Sequence, residues 1–364
     1  MIKLNDIEDV KSSENPIVRQ MSLMGHEQVV FCQDQQTGLN AIIAIHSTVL
    51  GPALGGTRMW NYSSELEALN DVLRLSRGMT FKASISGLAL GGGKAVIIGD
   101  AKRHKTDALM RRFGAFVDTL NGHYITAEDV GMTPHDMEMI RQETSHVSGT
   151  PKSMGGSGDP SPVTAYGVFM GMKASAKFKW GSDDLSGKKV LVEGVGHVGM
   201  NLVKLLSKEG AIIYCTDVNE ERLSISSSEY GGIIIENKLA YDTDIDIYAP
   251  CALGASVNDY SLSHLNCEII AGAANNQLGD EQRHGQILLD KGIVYAPDFL
   301  INAGGLVSVY SELKGYDLDE VMSKTENIYN TTLEIYRKSE VEGITTHLAA
   351  KQIAQARIDR GLSE

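Results

Sequence analysis

The chain is short of positive charge. Its 33 Lys and Arg face 46 Asp and Glu over 364 residues, a formal net charge of −13, which repels the phosphates of DNA and RNA and argues against a nucleic-acid partner. Cysteine is scarce as well. Cys32, Cys215, Cys251 and Cys267 have no metal-like spacing, so they read as buried thiols rather than disulfides or ligands. The ten histidines include no HExxH pair, and no metal is expected. No apolar run approaches the length of a membrane span, and Met1-Ile-Lys-Leu-Asn-Asp-Ile-Glu8 has no signal core. The expectation is a soluble, cytoplasmic chain without a membrane partner. Internal repeats and low-complexity tracts are missing too.

Glycine, by contrast, is placed where chemistry could use it. Gly87-Leu-Ala-Leu-Gly-Gly-Gly-Lys-Ala-Val-Ile-Ile-Gly-Asp100 reads as a glycine turn ending on Lys94, followed by the strand Ala95–Ile98 buried on both faces. Gly91, Gly92 and Gly93 would let a ligand lie against the main chain. Burial at the mouth of such a strand would disfavour the charged form of Lys94. Upstream, Ser64-Glu-Leu-Glu67 reads as a capping box. The helix it opens carries Leu66, Leu69, Val72, Leu73, Leu75 and Met79 at helical spacing, which puts Lys82 on the same inward stripe as Leu75 and Met79. His123-Tyr-Ile-Thr-Ala-Glu-Asp129 reads as a strand ending in two carboxylates, after which Thr133-Pro134 opens a helix. Lys82, Lys94 and Asp129 would then make one polar pocket. Each has a plainer reading, as a turn residue, a snorkelling lysine or a helix cap.

The second half carries Gly187-Lys-Lys-Val-Leu-Val-Glu-Gly-Val-Gly-His-Val-Gly199, a strand that runs into GxGxxG and then a helix. Gly194, Gly196 and Gly199 permit the tight turn and close approach of a pyrophosphate to a helix N-terminus. His197 reads as a loop residue within the fingerprint, and with Val198 it counts among the cofactor contacts. The helix shows Val198, Leu202, Leu205 and Leu206 on one face and stops at Gly210. The next strand ends at Asp217, about twenty residues beyond the glycines, where a carboxylate bonds a ribose 2′-hydroxyl and repels a 2′-phosphate. NAD is therefore favoured over NADP, with Arg222 nearby as a counter-argument. Three later strands, in Asp246–Ala255, Glu268–Gln277 and Val294–Gly305, lead into small and amide residues. Ligands lie outside the carboxyl ends of parallel strands, which makes Ala252, Asn275, Asn276 and Asn302 candidate cofactor contacts.

The fold class is α/β. An N-terminal substrate domain with a mixed sheet, residues 1–160, precedes a doubly wound, Rossmann-type dinucleotide-binding domain, residues 161–343. The boundary lies in the Gly-, Pro- and Ser-rich stretch 155–162, with Ser161 and Pro162 as N-cap and first turn of the next helix. Residues 317–363 read as two helices parted near Gly343, the last of which, 344–364, would complete the first domain.

Six motifs then coincide in order: Gly51-Pro-Ala-Leu-Gly-Gly-Thr-Arg-Met-Trp60, Arg77-Gly-Met-Thr-Phe-Lys82, Gly91-Gly-Gly-Lys94, Thr126-Ala-Glu-Asp-Val-Gly131, Pro160-Ser-Pro-Val-Thr-Ala-Tyr-Gly167 and Asn302-Ala-Gly-Gly305. Over nearly its whole length the chain resembles the glutamate/leucine/phenylalanine/valine dehydrogenases, above all the members that act on leucine. The resemblance implies NAD-dependent, reversible oxidative deamination of branched-chain L-amino acids to 2-oxo acids and ammonia. It also implies a homo-oligomer, often an octamer, and a cleft between domains that closes on substrate. Lys82 would hold the substrate carboxylate, Lys94 would activate the water that attacks the imine, and Asp129 would shuttle protons at the amino group. Thr164, Asp217 and Asn276 match positions near the nicotinamide, the adenine ribose and the cofactor. In glutamate dehydrogenases a lysine stands where this chain has Leu54 and a serine where it has Val309. Both are apolar here, so Leu54, Gly55, Ala127, Leu306 and Val309 suit an aliphatic side chain. The leucine members often have Asn at Ser308 and Cys at Thr57. The same chemistry on phenylalanine is the nearest alternative. A catalytically silent NAD-binding sensor would be expected to lack a lysine or the aspartate. A 2-hydroxy acid dehydrogenase would need a histidine–arginine pair that does not stand out.

Overall fold

A computed structural model describes residues 16–150 and 156–363. The N-terminal octapeptide and Gly155 of the expected hinge lie outside those residues. The chain forms two compact units: Met1–Thr48 with Pro52–Thr80 and Gly91–His146, and Val49–Gly51 with Phe81–Leu90 and Val147–Glu364. No helix among the described residues is long and apolar enough to cross a membrane.

The first unit holds helix α1 (Pro16–Met24) and strands β1 (Gln28–Asp34), β2 (Leu39–Ser47), β3 (Ala53–Leu54), β4 (Thr57–Trp60), β5 (Gly91–Ile98) and β6 (Tyr124–Ile125). Their order is β1-β2-β5-β3-β6, with β4 also paired to β5. β2 runs antiparallel to β1 and β5, while β3 and β4 run parallel to β5. This is the expected mixed sheet. Helix α2 (Glu65–Ile85) lays Ala68, Leu69, Val72 and Leu73 on Ile42, Ala44 and Val96. Leu66, counted on that stripe, is exposed. The capping box forms only in part: Ser64 Oγ accepts from Glu67 N at 3.2 Å, but the Glu67 carboxylate takes the N–H and hydroxyl of Ser63 rather than the N–H of Ser64. Helices α3 (Asp107–Asp118) and α4 (Pro134–Arg141) pack on each other. α4 has a complete capping box between Thr133 and Asp136, with Pro134 in its first turn.

The glycines before Lys94 do not form a turn. They are the first three residues of β5, and crowding explains the second and third. A Cβ on Gly92 would overlap the Thr80 backbone N–H and stand 2.5 Å from Ser76 O, both on α2, while one on Gly93 would stand 2.6 Å from the Tyr124 ring. The expected strand 123–129 is also shorter, paired only at Tyr124–Ile125 with a further bridge from Glu128 to Thr57.

The second unit opens with helix α5 (Ser161–Trp180), which has Pro160 rather than Ser161 at its N-cap, the Ser161 N–H being satisfied by Asp159 Oδ1 at 2.9 Å. Then come β7 (Lys189–Glu193), α6 (His197–Glu209), β8 (Ile212–Thr216), α7 (Glu220–Tyr230), β9 (Ile233–Ile234), β10 (Ile247–Pro250), α8 (Asp259–His264), β11 (Ile269–Ile270), α9 (Glu281–Asp290) and β12 (Val294–Tyr295). The sheet order is β12-β11-β10-β7-β8-β9, all parallel. Successive residues face opposite sides, as parallel strands buried on both faces require. Val190, Val192, Ile247, Ala249 and Ile269 join the core with α5 and α6, whereas Leu191, Tyr248, Ile270 and Tyr295 join that with α8 and α9. The doubly wound expectation holds.

The C-terminal region contains α10 (Asp298–Ile301), α11 (Gly304–Glu312), α12 (Leu318–Glu326), α13 (Ile328–Glu342) and α14 (Thr346–Gly361). From residue 317 on there are three helices rather than two. The extra break falls at Asn327, which keeps helical dihedrals, and the expected break at Gly343 is a left-handed C-cap. α14 packs on α13, α9 and β12, with Ser84 Oγ donating to Ala354 O at 2.7 Å and Arg357 donating to the carbonyls of Ser84 and Leu88.

Gly92→Ala is expected to destabilise the first unit by roughly 1–3 kcal/mol, as overpacking does, measured as a lower urea midpoint. An unchanged midpoint would show that α2 yields to a methyl group at no cost.

Candidate active site

Lys94 is the fourth residue of β5 and only 7% exposed. Asp129 lies in the turn after β6. That turn is fixed by Met132 N donating to Asp129 O at 3.0 Å and by Lys105 Nζ donating to Gly131 O at 2.8 Å and Asp136 Oδ2 at 2.6 Å. Gly56 lets β4 begin directly against it, since a Cβ there would stand 2.9 Å from Asp129 Cβ. Lys94 Nζ is 2.6 Å from Asp129 Oδ2, and Arg58 Nε is 3.4 Å from the same oxygen. Oδ2 and Arg58 Nε are buried without an aligned hydrogen-bond partner among the described residues, so these contacts are ionic. Burial is the largest influence on Asp129 and pushes its pKa up. Lys94 and then Arg58, helped by the Val130 N–H, outweigh it, and the carboxyl sits below its ordinary value.

Leu54 and Ala127, in the same unit, are buried. Gly55 N donates to Ile125 O at 3.2 Å and Thr57 N to Ala127 O at 2.8 Å, which sets the backbones of β3 and β4 against the strand that leads to Asp129. Behind them the Thr57 and Thr126 hydroxyls lie 2.6 Å apart. Arg58 is a functional candidate that residue-by-residue reading passed over. It lies within Gly51–Trp60, and its signal is a guanidinium on a strand otherwise fit for burial.

In the second unit Lys82 Nζ donates to Asn302 Oδ1 at 2.7 Å, and Asn302 Nδ2 donates to Asn275 Oδ1 at 2.8 Å and Ala273 O at 3.1 Å. Leu306 is buried and Val309 half-buried, three residues apart on α11. Between them Ser308 is buried with no hydrogen-bond partner for its Oγ among the described residues. Thr164 Oγ1 is 3.0 Å from where a Cβ on Gly305 would stand, so the Asn302–Gly305 segment meets the start of α5.

The fingerprint glycines have separate reasons. Gly194 has φ +95°, and its Cβ would lie 2.7 Å from Ala252 Cβ. A Cβ on Gly199 would overlap the Gly194 carbonyl, so α6 could not begin so close to β7. At Gly196 the space is open, with only Arg222 Nη1 within 4 Å, at 3.8 Å. His197 is the first residue of α6 rather than a loop residue. The Asp217 carboxylate accepts Val195 N at 2.7 Å and Asn219 N at 2.8 Å, which ties the end of β8 to the fingerprint. Asn276 is exposed in left-handed backbone, φ 52°, and its carbonyl accepts Ala255 N at 2.7 Å. Fingerprint, Ala252, Asn275 and Asn302 thus form one continuous line beyond the carboxyl ends of β7, β10 and β11. The open space over Gly196, at a helix N-terminus, fits a pyrophosphate.

A family profile described as Glu/Leu/Phe/Val dehydrogenase, dimerisation domain, matches residues 26–146, and one described as Glutamate/Leucine/Phenylalanine/Valine dehydrogenase matches residues 155–220 and 214–361. The chain belongs to the glutamate/leucine/phenylalanine/valine dehydrogenase family. Within this family it is 52% identical to the leucine dehydrogenase of Thermoactinomyces intermedius, over 93% of this chain and 92% of that one. It is 50% identical to the leucine dehydrogenase of Bacillus subtilis strain 168, over 94% of each. The crystal structure of L-tryptophan dehydrogenase from Nostoc punctiforme superposes with a TM-score of 0.86 at 45% identity, over 95% of this chain and all of that one. The protein is an amino acid dehydrogenase with a nicotinamide dinucleotide-binding domain, as the resemblance implied.

The sign of the Asp129 effect gives a test. A carboxyl held below its ordinary 3.8 adds stability that is complete above that value and lost as pH falls through and below it. The gap in unfolding free energy between the native protein and Asp129→Asn is expected to be widest near pH 7 and to close below about pH 4. A gap independent of pH would remove the ion pair as its cause.

Proposed function

We propose that the protein catalyses the NAD-dependent, reversible oxidative deamination of branched-chain L-amino acids, L-leucine with L-valine and L-isoleucine, to 2-oxo acids and ammonia. The observation that carries this reading is end-to-end similarity to leucine dehydrogenases, joined to apolar side chains at Leu54 and Val309. An ionised glutamate side chain would find no charged partner at those two positions.

Lys82, oriented by Asn302, holds the substrate carboxylate. Asp129 exchanges protons with the amino group, and Lys94 activates the water that attacks the imine. Leu54, Gly55, Ala127, Leu306 and Val309 receive the aliphatic side chain. Gly194, Gly196, Gly199, His197 and Val198 would hold the pyrophosphate, Asp217 the adenine ribose, and Thr164, Ala252, Asn275, Asn276 and Asn302 the rest of the dinucleotide. When bound, the dinucleotide supplies the hydride acceptor. Asp217 supports NAD, because its carboxylate would repel a 2′-phosphate. By function rather than compactness, residues 1–160 with helix 344–364 serve the amino acid and 161–343 the dinucleotide. The protein works as a cytoplasmic homo-oligomer, an octamer by family resemblance, and light scattering gives its mass directly.

Reduction of NAD at alkaline pH, followed with L-leucine, L-valine, L-isoleucine, L-phenylalanine and L-glutamate, tests the reading. Fast turnover of the aliphatic substrates is expected, and activity confined to phenylalanine would overturn the side-chain assignment. Lys94→Ala is expected to abolish turnover while NAD titration stays nearly unchanged, since the proposed dinucleotide contacts are other residues; full turnover would remove Lys94 from the mechanism. Asp217→Ala is expected to narrow the NAD-over-NADP preference in kcat/KM, and an equal use of both by the native protein would refute its ribose role.

A further inference from the structure

Arg58 takes no part in the roles above, yet its guanidinium reaches two carboxylates at once. Nε lies 3.4 Å from Asp129 Oδ2, and Nη1 donates to Asp71 Oδ2 at 3.1 Å. Asp71, on α2, is itself held by Tyr62 OH at 2.8 Å and by Arg74 Nη2 at 3.2 Å. The Arg58 side chain is half-buried at 25% exposure, and its Nε is fully buried. A planar fork can address both acids from fixed edges, which the single ammonium of a lysine cannot do.

We propose that Arg58 is a positioning residue for the proton exchange at Asp129: anchored by Asp71, it shares the buried Oδ2 with Lys94 and so keeps the carboxylate ionised and fixed. The inference rests on the proposed acid–base role of Asp129. Two cations on one buried oxygen make protonation there costly, which leaves Oδ1 to exchange the proton. The charged and titratable groups around Asp129 among the described residues are Lys94 from β5, Arg58 from β4, Tyr124 from β6 and the adjoining Glu128, with Asp71 and Tyr62 behind Arg58 and Lys105 and Asp136 holding the same turn. Arg58 is the member of this set that links Asp129 to α2. Its own charge is reinforced. Burial, the largest influence, opposes the guanidinium charge, but Asp129 and Asp71 outweigh it and raise its pKa.

The test compares Arg58→Gln, Arg58→Lys and Asp129→Asn as full-length enzymes, with kcat and KM for L-leucine measured across pH. Arg58→Gln is expected to lower kcat about tenfold or more, to leave KM for L-leucine within about twofold because Arg58 does not touch substrate, and to raise the pH below which turnover is lost by about one unit. Arg58→Lys is expected to keep that acid limb near its native place. An unmoved limb in Arg58→Gln with Asp129→Asn inactive would overturn the assignment, as would equal kcat losses in the Gln and Lys variants with no shift, the mark of a purely structural role. A fully active Asp129→Asn would instead overturn the reading of Asp129 itself. If Arg58→Gln does not fold, Arg58→Met keeps the apolar stem and is held to the same criteria.

Discussion

A lysine and an aspartate 2.6 Å apart, one buried in β5 and the other in the turn after β6, form the constraint around which the first unit is arranged. Taking both charges out of water is costly, and their attraction repays it only with good geometry and further support. The support is visible on every side. β5 fixes Lys94 in a strand buried almost throughout, Lys105 and the α4 capping box fix the turn that carries Asp129, and Arg58 adds a second cation to the same oxygen. Removing one partner would leave an uncompensated buried charge, and breaking such pairs costs about 3–5 kcal/mol. A pair retained in that setting is better explained by chemistry than by stability.

Glycine serves two opposite ends in this protein. At Gly92, Gly93, Gly194 and Gly199 it is required because protein atoms already fill the place of a side chain, helix against strand or strand against ring. At Gly196 the same residue leaves an unfilled space before a helix N-terminus. Only the second kind marks a ligand. A pyrophosphate there would meet the N–H groups of the first turn of α6, and Asp217, already bonded to the Val195 N–H, would set the ribose end on the proposed reading. On the proposed reading, the carboxylate that would read the ribose and the loop that would cradle the phosphates are coupled by one hydrogen bond from the Val195 N–H to Asp217 Oδ2.

Most of the second unit was legible because its signals are local. Strand, glycine turn, amphipathic helix, left-handed Gly210 and the acid at the end of β8 follow one another within thirty residues, each with its own period or cap. What escaped reading depends on distant partners. The glycines of β5 look like a turn until Thr80, Ser76 and Tyr124 are placed against them. The break at Asn327 has neither glycine nor proline to announce it, since the residue keeps helical dihedrals between α12 and α13. Ser64 and Glu67 have capping-box spacing, yet Ser63 offers Glu67 two donors and takes it. Arg58 carries no local signal of its contacts, which come from Asp71 and Asp129 at its two ends.

The same reasoning bounds how finely the substrate can be chosen. On the proposed reading, Leu54, Ala127, Leu306 and Val309 reject a charged side chain strongly, because a buried carboxylate without a partner carries a large desolvation cost. Among aliphatic side chains they distinguish weakly, since one methylene is worth only about 1–3 kcal/mol. Shape must supply the rest. In the first unit the Thr57 and Thr126 hydroxyls pair, and in the second Ser308 is buried next to Val309; the family's leucine members often carry Cys at Thr57 and Asn at Ser308. The threonine pair is mutually satisfied at 2.6 Å and therefore resists rearrangement. Ser308 Oγ has no such partner among the described residues, and a small, unbonded hydroxyl yields space more readily than an amide would. On that reading, fine preference among leucine, valine and isoleucine would depend on how firmly these neighbours are held as well as on the residues that touch the side chain.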